Sequence, residues 1–367
     1  MTGVKELLIT DVAFGGKGVA RTEGKAVFVP YVIDGETVAA TITHEHKKFC
    51  EAQLESVIAT SPHRVEPRCP YFGRCGGCVY QHIDYEHQLA LKWRQVKETL
   101  RRIGGLKDPP MRPFIPSPIE YAYRNRITVH IQDGVIGFFR RESNKLIAIE
   151  FCPIARDQVN AKLSELRATR PHDGHYTLRL TDGPRVFTQA NDAVASAMLD
   201  LVDRLLANAS GTLIDAYCGA GFFAKRLRSR FATVIGIDWD QHAIAVARED
   251  AIESEIYVAA DVEAELSMDD GPLHSGNYLG RELGSRRFLI VDPPATGLSK
   301  IIVETLLQHP PMRLIYVSCN PATLARDLLA LKELYRIDSI TPLDMFPQTA
   351  GVEVVAELSP NAIAEKL

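Results

Sequence analysis

The spacing of apolar and polar residues divides the chain into three stretches with different predicted structures. In the first stretch, residues 25–33 are apolar and β-branched, residues 37–43 roughly alternate, and turn signals lie at 15–18 and 34–35. Several short strands within residues 1–58 predict a small β-barrel of the OB type.

The middle stretch, residues 59–185, carries one helical pattern and one hairpin pattern. Asp84 is the predicted N-cap of the helix, and Gly104 and Gly105 end it. The pair Asp133-Gly134 between two β-branched runs predicts a type I′ hairpin turn. The predicted buried face of the helix steps by three or four residues and consists of Leu89, Trp93, Val96, Leu100 and Ile103.

In the third stretch, residues 186–367, short apolar strands alternate with helical segments. The predicted strands occupy residues 212–215, 233–238, 256–259, 288–292 and 314–318. This alternation predicts an α/β domain built on a doubly wound parallel sheet. Residues 263–287 are rich in Gly, Ser and Asp, and they predict a long loop or an insertion.

Composition narrows the class of protein. The 367 residues are 46% hydrophobic and 24% charged, with a formal net charge of −4, which is typical of a globular chain. This balance excludes a uniformly basic protein but allows a local basic groove, and the middle stretch is rich in arginine. No apolar run approaches the roughly 18 residues that a membrane span needs. No signal-peptide pattern opens the sequence, so we expect a cytoplasmic protein without a membrane partner.

The seven cysteines cannot all pair within one chain, because their number is odd. Three of them, Cys69, Cys75 and Cys78, lie within ten residues, and the others are scattered. In a chain without export signals this pattern indicates a metal or cluster site together with a few packed or reactive thiols. Zinc and an iron–sulfur cluster are both held by four thiolates, and the count leaves both open.

Three predicted strand ends carry residues suited to a nucleotide-like ligand. Gly219 and Gly221 follow the first strand and allow close approach of a ligand, although a tight strand–helix turn would need the same glycines. Asp238, about 20 residues later, can accept hydrogen bonds from ribose hydroxyls, and Asp261 can reach an adenine amino group. The missing third glycine argues against NAD and favours S-adenosylmethionine, which carries no phosphate.

Two further strand ends carry candidate reactive groups. Asp292 opens an Asp-Pro-Pro turn that faces the crevice where ligands of such sheets bind. Cys319 follows the next strand and is either a packing cysteine or a nucleophile. The neighbouring Asn320-Pro321 forms a turn rather than a core strand, which favours the nucleophile.

In these motifs the chain resembles the RNA uracil-5-methyltransferases, in particular the iron–sulfur branch that modifies 23S ribosomal RNA. The resemblance covers nearly the whole chain, including Phe-Thr-Gln-Ala-Asn at 187–191, Phe-Pro-Gln-Thr at 346–349, and Glu353. It implies an N-terminal TRAM domain that binds RNA, a small central iron–sulfur domain and a Rossmann-like methyltransferase domain. The implied ligands of a [4Fe-4S] cluster are Cys69, Cys75, Cys78 and Cys152. The implied lining of the S-adenosylmethionine and base pocket is Gln189, Tyr217, Phe222, Asp238, Asp261 and Asp292.

Carbon 5 of uracil is too weakly nucleophilic to take a methyl group directly. Attack of the Cys319 thiolate on carbon 6 would activate it, and Glu353 is the expected base that removes the carbon 5 proton. Uracil is favoured over cytosine because no cysteine follows Pro294. Ala295 is not the aromatic residue that an adenine amino methyltransferase would use, and the Cys-x3-Cys-x2-Cys pattern of radical enzymes is absent.

Three positions depart from the family pattern. Ala295 stands where Arg is usual, Gly351 where His is usual, and Asp238 replaces the commoner Glu. We expect a monomer that acts on ribosomal RNA, with a transfer-RNA enzyme and an inactive RNA-binding protein as the alternatives. Because the clustered cysteines are remote in sequence from the methyl-transfer motifs, we expect the cluster to serve folding or RNA docking.

Overall fold

The computed structural model describes residues 4–169, 171–183 and 186–361. The predicted segment boundary at residue 185 lies outside these residues. Residues 1–3 of the first predicted segment and 362–367 of the third also lie outside them. The boundary at residue 58 stays a prediction. Across the described ranges, no helix combines the length and the apolar character needed to cross a membrane.

Six strands make up the N-terminal sheet: β1 (Val4–Leu8), β2 (Asp11–Val12), β3 (Lys17–Thr22), β4 (Lys25–Pro30), β5 (Thr37–Glu45) and β6 (Phe49–Ala59). Their order is β1-β5-β6-β4-β3-β2, antiparallel except for the pair β4 and β6. Three register shifts between β5 and β6 bend this pair. The bend allows alternate residues such as Val27, Val29 and Val38 to meet in one apolar core.

The middle of the chain contains α1 (Tyr85–Arg102), β7 (Arg126–Gln132), β8 (Val135–Phe139), β9 (Leu146–Ala148), α2 (Asp157–Ala168) and β10 (Gly174–Arg179). The strands form an antiparallel sheet in the order β10-β7-β8-β9. One face packs on α2 through a core that includes Ile127, Val129 and Val159. The predicted hairpin is confirmed, because Asp133 and Gly134 link β7 to β8 with positive φ of 52° and 75°.

The helix predicted in this region is confirmed as α1, but its buried face is partly wrong. Asp84 caps the helix by accepting a hydrogen bond from the His87 amide at 2.8 Å. Val96 and Leu100 are buried as predicted, whereas Ile103 is exposed and Leu89 and Trp93 are half-buried. The helix instead buries three polar side chains, which find partners elsewhere in the fold: Gln88, Lys92 and Gln95.

The C-terminal part alternates strands and helices: α3 (Asp192–Leu205), β11 (Thr212–Ala216), α4 (Phe222–Leu227), β12 (Thr233–Asp238), α5 (Gln241–Arg248), β13 (Glu255–Ala259), α6 (Val262–Ser267), β14 (Asn277–Tyr278), β15 (Arg281–Glu282), β16 (Arg287–Val291), α7 (Lys300–Gln308), β17 (Arg313–Ser318), α8 (Pro321–Leu331), β18 (Tyr335–Leu343) and β19 (Glu353–Pro360). The main sheet has the order β13-β12-β11-β16-β17-β19-β18. Its first five strands are parallel, and β19 runs antiparallel between β17 and β18. The five predicted strands are confirmed to within one residue at each end.

The segment 263–287, predicted as a loop, is more ordered than expected. It begins with most of α6 and contains the short hairpin of β14 and β15. Leu273, Tyr278 and Leu283 bury their side chains in the core beside the main sheet. A few widely spaced apolar residues anchor this otherwise polar segment to the core. Because they do not recur at a helix or strand period, the sequence pattern does not reveal the segment's structure.

The carboxyl ends of the parallel strands meet the middle region at one edge of the main sheet. The loop that contains Cys69, Cys75 and Cys78 is called the cysteine-rich loop. Directly after it, the amides of Val79 and Tyr80 donate to the Gln348 carbonyl at 3.1 and 3.0 Å. Val96 and Leu100 of α1 share an apolar core with α8. The cysteine-rich loop is therefore bound directly to the segment that precedes β19.

Candidate active site

The loop after β11 is shaped by residues with positive φ. Tyr217, Gly219 and Gly221 have φ of 65°, 53° and 85°. A Cβ on Gly221 would lie 2.8 Å from the Tyr257 hydroxyl, so this glycine is needed for packing. A Cβ on Gly219 would meet no atom of the described residues within 4 Å, so this glycine borders open space. The loop therefore presents bare backbone at the edge where ligands of such sheets bind.

Asp238, at the end of β12, braces this loop. One carboxylate oxygen accepts the Gly219 amide and the other accepts the Asp240 amide, at 2.8 and 2.9 Å. Each carboxylate oxygen can accept a second hydrogen bond. The side chain can therefore hold the glycine loop and still accept hydroxyl donors from a ligand.

The other predicted cofactor residues lie at the same edge of the sheet. Asp261 caps α6 by accepting the Ala264 amide at 2.9 Å and remains exposed. Burial, together with the charges of Glu263 and Asp261, raises the pKa of Tyr217 to about 12. Phe222 opens α4 and packs edge-on against Phe223, with ring centroids 4.8 Å apart. Tyr217, Asp261 and Phe222 thus flank the glycine loop.

The structure brings the two predicted catalytic groups, Cys319 and Glu353, together with the predicted pocket residue Asp292. Ser318 pairs with Val354 across β17 and β19, so the next residues in this register are Cys319 and Glu353. Asp292 follows the neighbouring strand β16, and the Gln189 amide nitrogen lies 3.5 Å from its carboxylate. Two carboxylates and one thiol therefore meet where β16, β17 and β19 adjoin.

Burial and mutual repulsion make all three groups harder to ionise. Glu353 is only 3% exposed, and burial together with the Asp292 charge raises its pKa well above the usual range. Burial raises the pKa of Asp292 to about 7. Partial burial and then the charges of Glu353 and Asp292 raise the pKa of the Cys319 thiol to about 11. The resting thiol is consequently neutral near pH 7, and a proton acceptor must assist its attack.

The four clustered cysteines line the same cavity as Cys319. Cys69, Cys75, Cys78 and Cys152 are free thiols around a space of about 820 Å³ that also reaches Arg124, Phe346 and Gly351. The cysteine loop is held against the middle sheet, because the Gly76 amide donates to the Phe139 carbonyl at 3.0 Å. Among the described residues, no group of three or more His, Cys, Asp or Glu side chains is arranged around a single metal ion.

Family comparisons agree with this geometry. Residues 172–359, just over half of the chain, match the family model described as tRNA (Uracil-5-)-methyltransferase. The chain belongs to the RNA uracil-5-methyltransferase family. Members of this family are S-adenosylmethionine-dependent enzymes, and the predicted enzyme class is confirmed. Residues 3–54 match the TRAM domain, so the N-terminal sheet is the TRAM domain of this uracil-5-methyltransferase.

Relatives of this uracil-5-methyltransferase match along almost its whole length. An uncharacterised RNA methyltransferase of Bdellovibrio bacteriovorus is 32% identical, over 96% of this chain and 94% of the relative. The 23S rRNA (uracil(1939)-C(5))-methyltransferase RlmD of Thiobacillus denitrificans is 29% identical, over 97% and 99%. The crystal structure of Pyrococcus abyssi tRNA (uracil-54, C5)-methyltransferase with S-adenosyl-L-homocysteine matches with a TM-score of 0.70 and 25% identity, over 98% of this chain and all of that one.

Two of the three departures from the family pattern, Ala295 and Gly351, have different surroundings in this uracil-5-methyltransferase. The Ala295 carbonyl accepts hydrogen bonds from the Asn320 amide and the Thr323 hydroxyl, at 3.0 and 3.2 Å. The main-chain oxygen of Ala295, rather than its side chain, thereby holds this loop against α8 and its N-cap. A Cβ on Gly351 would lie 2.9 Å from the Phe346 ring, so Phe346 occupies the room that a larger residue would need.

Sequence reasoning missed two residues of this region. Asp215 is fully buried, and one carboxylate oxygen accepts the Ala224 amide at 2.8 Å while the other has no partner among the residues that the structure describes. Burial, and then the charges of Asp292 and Asp238, raise its pKa to about 8. An acidic residue inside an apolar strand was the available signal. Arg124 lines the cavity with its guanidinium 6.0 Å from the Phe346 ring centre, and no sequence pattern indicates this.

Proposed function

We propose that this uracil-5-methyltransferase acts on 23S ribosomal RNA through a covalent bond between Cys319 and carbon 6 of the target uridine. The observation that carries the proposal is the meeting of Cys319, Asp292 and Glu353 beside a glycine loop that can hold the methyl donor. Ribosomal RNA is supported by the nearly full-length similarity to the Thiobacillus denitrificans enzyme. The similarity to the Pyrococcus abyssi enzyme keeps transfer RNA as the second candidate.

The residues around Gly219 fit S-adenosylmethionine. The open space at Gly219 leaves room for a ligand against the backbone, and Asp238 keeps acceptor capacity for ribose hydroxyls. We assign Gln189, Tyr217, Gly221, Phe222 and Asp261 to the same pocket. When bound there, the cofactor supplies an electrophilic methyl group on a sulfonium centre.

The three reacting side chains divide the proton and bond changes among them. Cys319 gives its proton to the Asp292 carboxylate and forms the bond from sulfur to carbon 6, which moves the ring electron pair into an enolate. Carbon 5 then takes the methyl group of the donor, which would leave as an uncharged thioether. Glu353, still ionised, removes the carbon 5 proton. The electron pair left behind restores the double bond between carbons 5 and 6 and expels the Cys319 thiolate. A carboxylate with a raised pKa is a stronger base, which suits Glu353 to this step.

Asp292 holds the edge of the uracil ring in this scheme. Burial raises its pKa, so its protonated form is easier to populate than that of an exposed aspartate. The protonated form donates to a ring carbonyl, and the ionised form accepts from a ring N–H. The Gln189 amide beside it offers a further donor and acceptor for the base or the cofactor.

We also propose that Cys69, Cys75, Cys78 and Cys152 hold a [4Fe-4S] cluster. Four free thiols around one cavity supply the donor set of such a cluster, in which each thiolate binds a different iron atom. A structural zinc ion would instead need all four sulfurs around one point. The cluster would link the loop that contains Cys69, Cys75 and Cys78 to Cys152, and none of the methyl-transfer steps passes through it.

The proposed function is tested by mapping 5-methyluridine by mass spectrometry in RNA from cells with and without the gene. Loss of one 5-methyluridine from 23S ribosomal RNA, restored by the purified enzyme, is the expected result. Loss from transfer RNA would select the second candidate. Unchanged 5-methyluridine in both RNA classes would contradict the proposal.

A further inference from the structure

The exposed face of the four-stranded sheet carries a ladder of polar pairs. Across β7 and β10, Arg126 lies opposite Arg179, Thr128 opposite Thr177, and His130 opposite His175. The alternate residues Ile127, Val129 and Ile131 are buried against α2, so the ladder is on the opposite face. The hydroxyls of Thr128 and Thr177 lie 2.9 Å apart and form one hydrogen bond.

The arginine pair at the end of this ladder is unfavourable for the fold by itself. Like charges directly opposite each other on neighbouring strands repel. Burial lowers the pKa of Arg126, and the charges of Arg179 and Arg124 lower it further. Within the described part of the chain, none of these three guanidinium groups has a carboxylate partner, and the Arg124 and Arg179 groups donate only to main-chain carbonyls.

The arginine pair lies beside the active site. The Arg126 guanidinium lies 4.8 Å from the ring centre of Phe187, which is 59% exposed and two residues before Gln189. Thr128 and His130 of the same ladder line the cavity that contains Cys319. A ligand that reaches the Cys319 thiol along this face would therefore pass the arginines.

We propose that Arg126 and Arg179 form a phosphate clamp for the RNA backbone next to the target uridine. Two guanidinium forks that have no carboxylate partner in the described ranges match the bidentate geometry and the charge of phosphodiester oxygens. The clamp holds the backbone while the uridine enters the cavity, and the Thr128 and Thr177 hydroxyls continue the polar track. The inference rests on the proposed function only in taking RNA as the ligand.

The test compares Arg126→Gln, Arg179→Gln and the double variant with Arg204→Gln as a matched control. Arg204 is exposed near the C-terminal end of α3. Because this helix leads to the start of β11, Arg204 lies near the end of the main sheet that is opposite to the candidate active site. Binding of a fluorescein-labelled RNA hairpin with a uridine in its loop is measured over a range of salt concentrations, without methyl donor. We expect each single clamp variant to bind about tenfold more weakly. The salt slope should fall by roughly 0.7–0.9 for each lost phosphate contact.

Thermal unfolding separates a clamp from a structural pair. The double variant should unfold at a higher temperature than the unmodified protein, because the repulsion is removed, although it binds RNA more weakly. S-adenosylmethionine affinity, measured by calorimetry, should be unchanged. Equal RNA affinity and salt slope in the double variant and Arg204→Gln would overturn the clamp, as would lack of hairpin binding by the unmodified protein. Failure of the proposed function would appear separately, as RNA binding without formation of 5-methyluridine.

Discussion

At the scale of single residues, Cys319 and Glu353 should fail in different ways. Cys319→Ala removes the attack on carbon 6, so neither a covalent RNA adduct nor methylation should form. Glu353→Gln keeps the nucleophile but cannot remove the carbon 5 proton, so the methylated adduct should accumulate. A denaturing gel with labelled RNA would show a slow band for Glu353→Gln and none for Cys319→Ala.

The matched control for this pair is Cys50→Ala, since Cys50 is buried in the TRAM core. It should methylate RNA at the rate of the unmodified protein. Methylation of RNA by Cys319→Ala would contradict the covalent mechanism. Normal turnover by Glu353→Gln would assign the base to another group.

Asp238 should also act as a residue-scale determinant, in this case of cofactor affinity. Asp238→Ala removes the acceptor for ribose and releases the Gly219 amide, so S-adenosylmethionine should bind about tenfold to a hundredfold more weakly. Asp240→Ala is the control, because Asp240 only caps α5 through the His242 and Ala243 amides. That variant should lose about 1 kcal/mol of stability and keep its affinity in calorimetry. Equal affinity of both variants would refute the role of Asp238.

Residues at strand ends could be predicted because position in a parallel sheet determines what they face. Asp238, Asp292 and Cys319 each follow a strand that the apolar pattern predicts. Arg124 and the pair of Arg126 with Arg179 could not be found in this way. Their role depends on which strand lies beside which, and the register between β7 and β10 spans about 50 residues of chain.

At the scale of elements, α1 fixes the segment between β18 and β19. Lys92 is fully buried and forms an ion pair with the fully buried Asp344 at 2.6 Å, and it also donates to the Phe346 carbonyl. Gln88 accepts the Gln348 amide at 3.1 Å, and Gln348 has a φ of 68°. A non-glycine residue keeps such a conformation only where its surroundings hold it. α1 therefore positions the turn that leads to Glu353.

Lys92→Met should destabilise the protein by about 3–5 kcal/mol, because it leaves the Asp344 carboxylate buried without its partner. Adding Asp344→Leu should recover most of this loss, since the unpaired charge is then gone. Lys97→Met on the same helix is the control, because Lys97 is only half-buried and its partner Asp108 is exposed, and its effect should stay within about 0.5 kcal/mol. Urea unfolding of the three variants and the unmodified protein measures these differences. A double variant as unstable as Lys92→Met would contradict this account.

The apolar pattern predicts the elements of this fold better than it predicts how they pack. It locates α1 and its cap, yet it assigns Ile103 to the core in place of Gln88 and Lys92. These polar residues can be buried because residues near 344–348 pair with them in the folded protein. Those partners lie some 250 positions away along the chain. Pairings of that kind are satisfied only in the folded chain, so local periodicity cannot show them.

At the scale of the whole molecule, distance along the sequence is a poor guide to distance in space. Cys69, Cys75 and Cys78 precede Cys319 by more than 200 residues, but all three line one cavity with it. Val79 and Tyr80, just after Cys78, bind the Gln348 carbonyl directly. A cluster that orders the cysteine-rich loop would therefore also order the turn before Glu353. The folding role that we expect for the cluster would then include the active site.

The proposed cluster makes the composition of the purified enzyme a test at this scale. Protein isolated without oxygen should be brown and contain about four irons per chain. Cys75→Ala should lose iron and unfold at a lower temperature, because cluster ligation is coupled to folding. Cys50→Ala, a cysteine outside the cavity, should keep the iron content and the colour. Stoichiometric zinc without iron in the unmodified protein would replace the cluster by a structural zinc site, and full iron retention in Cys75→Ala would remove Cys75 from the ligand set.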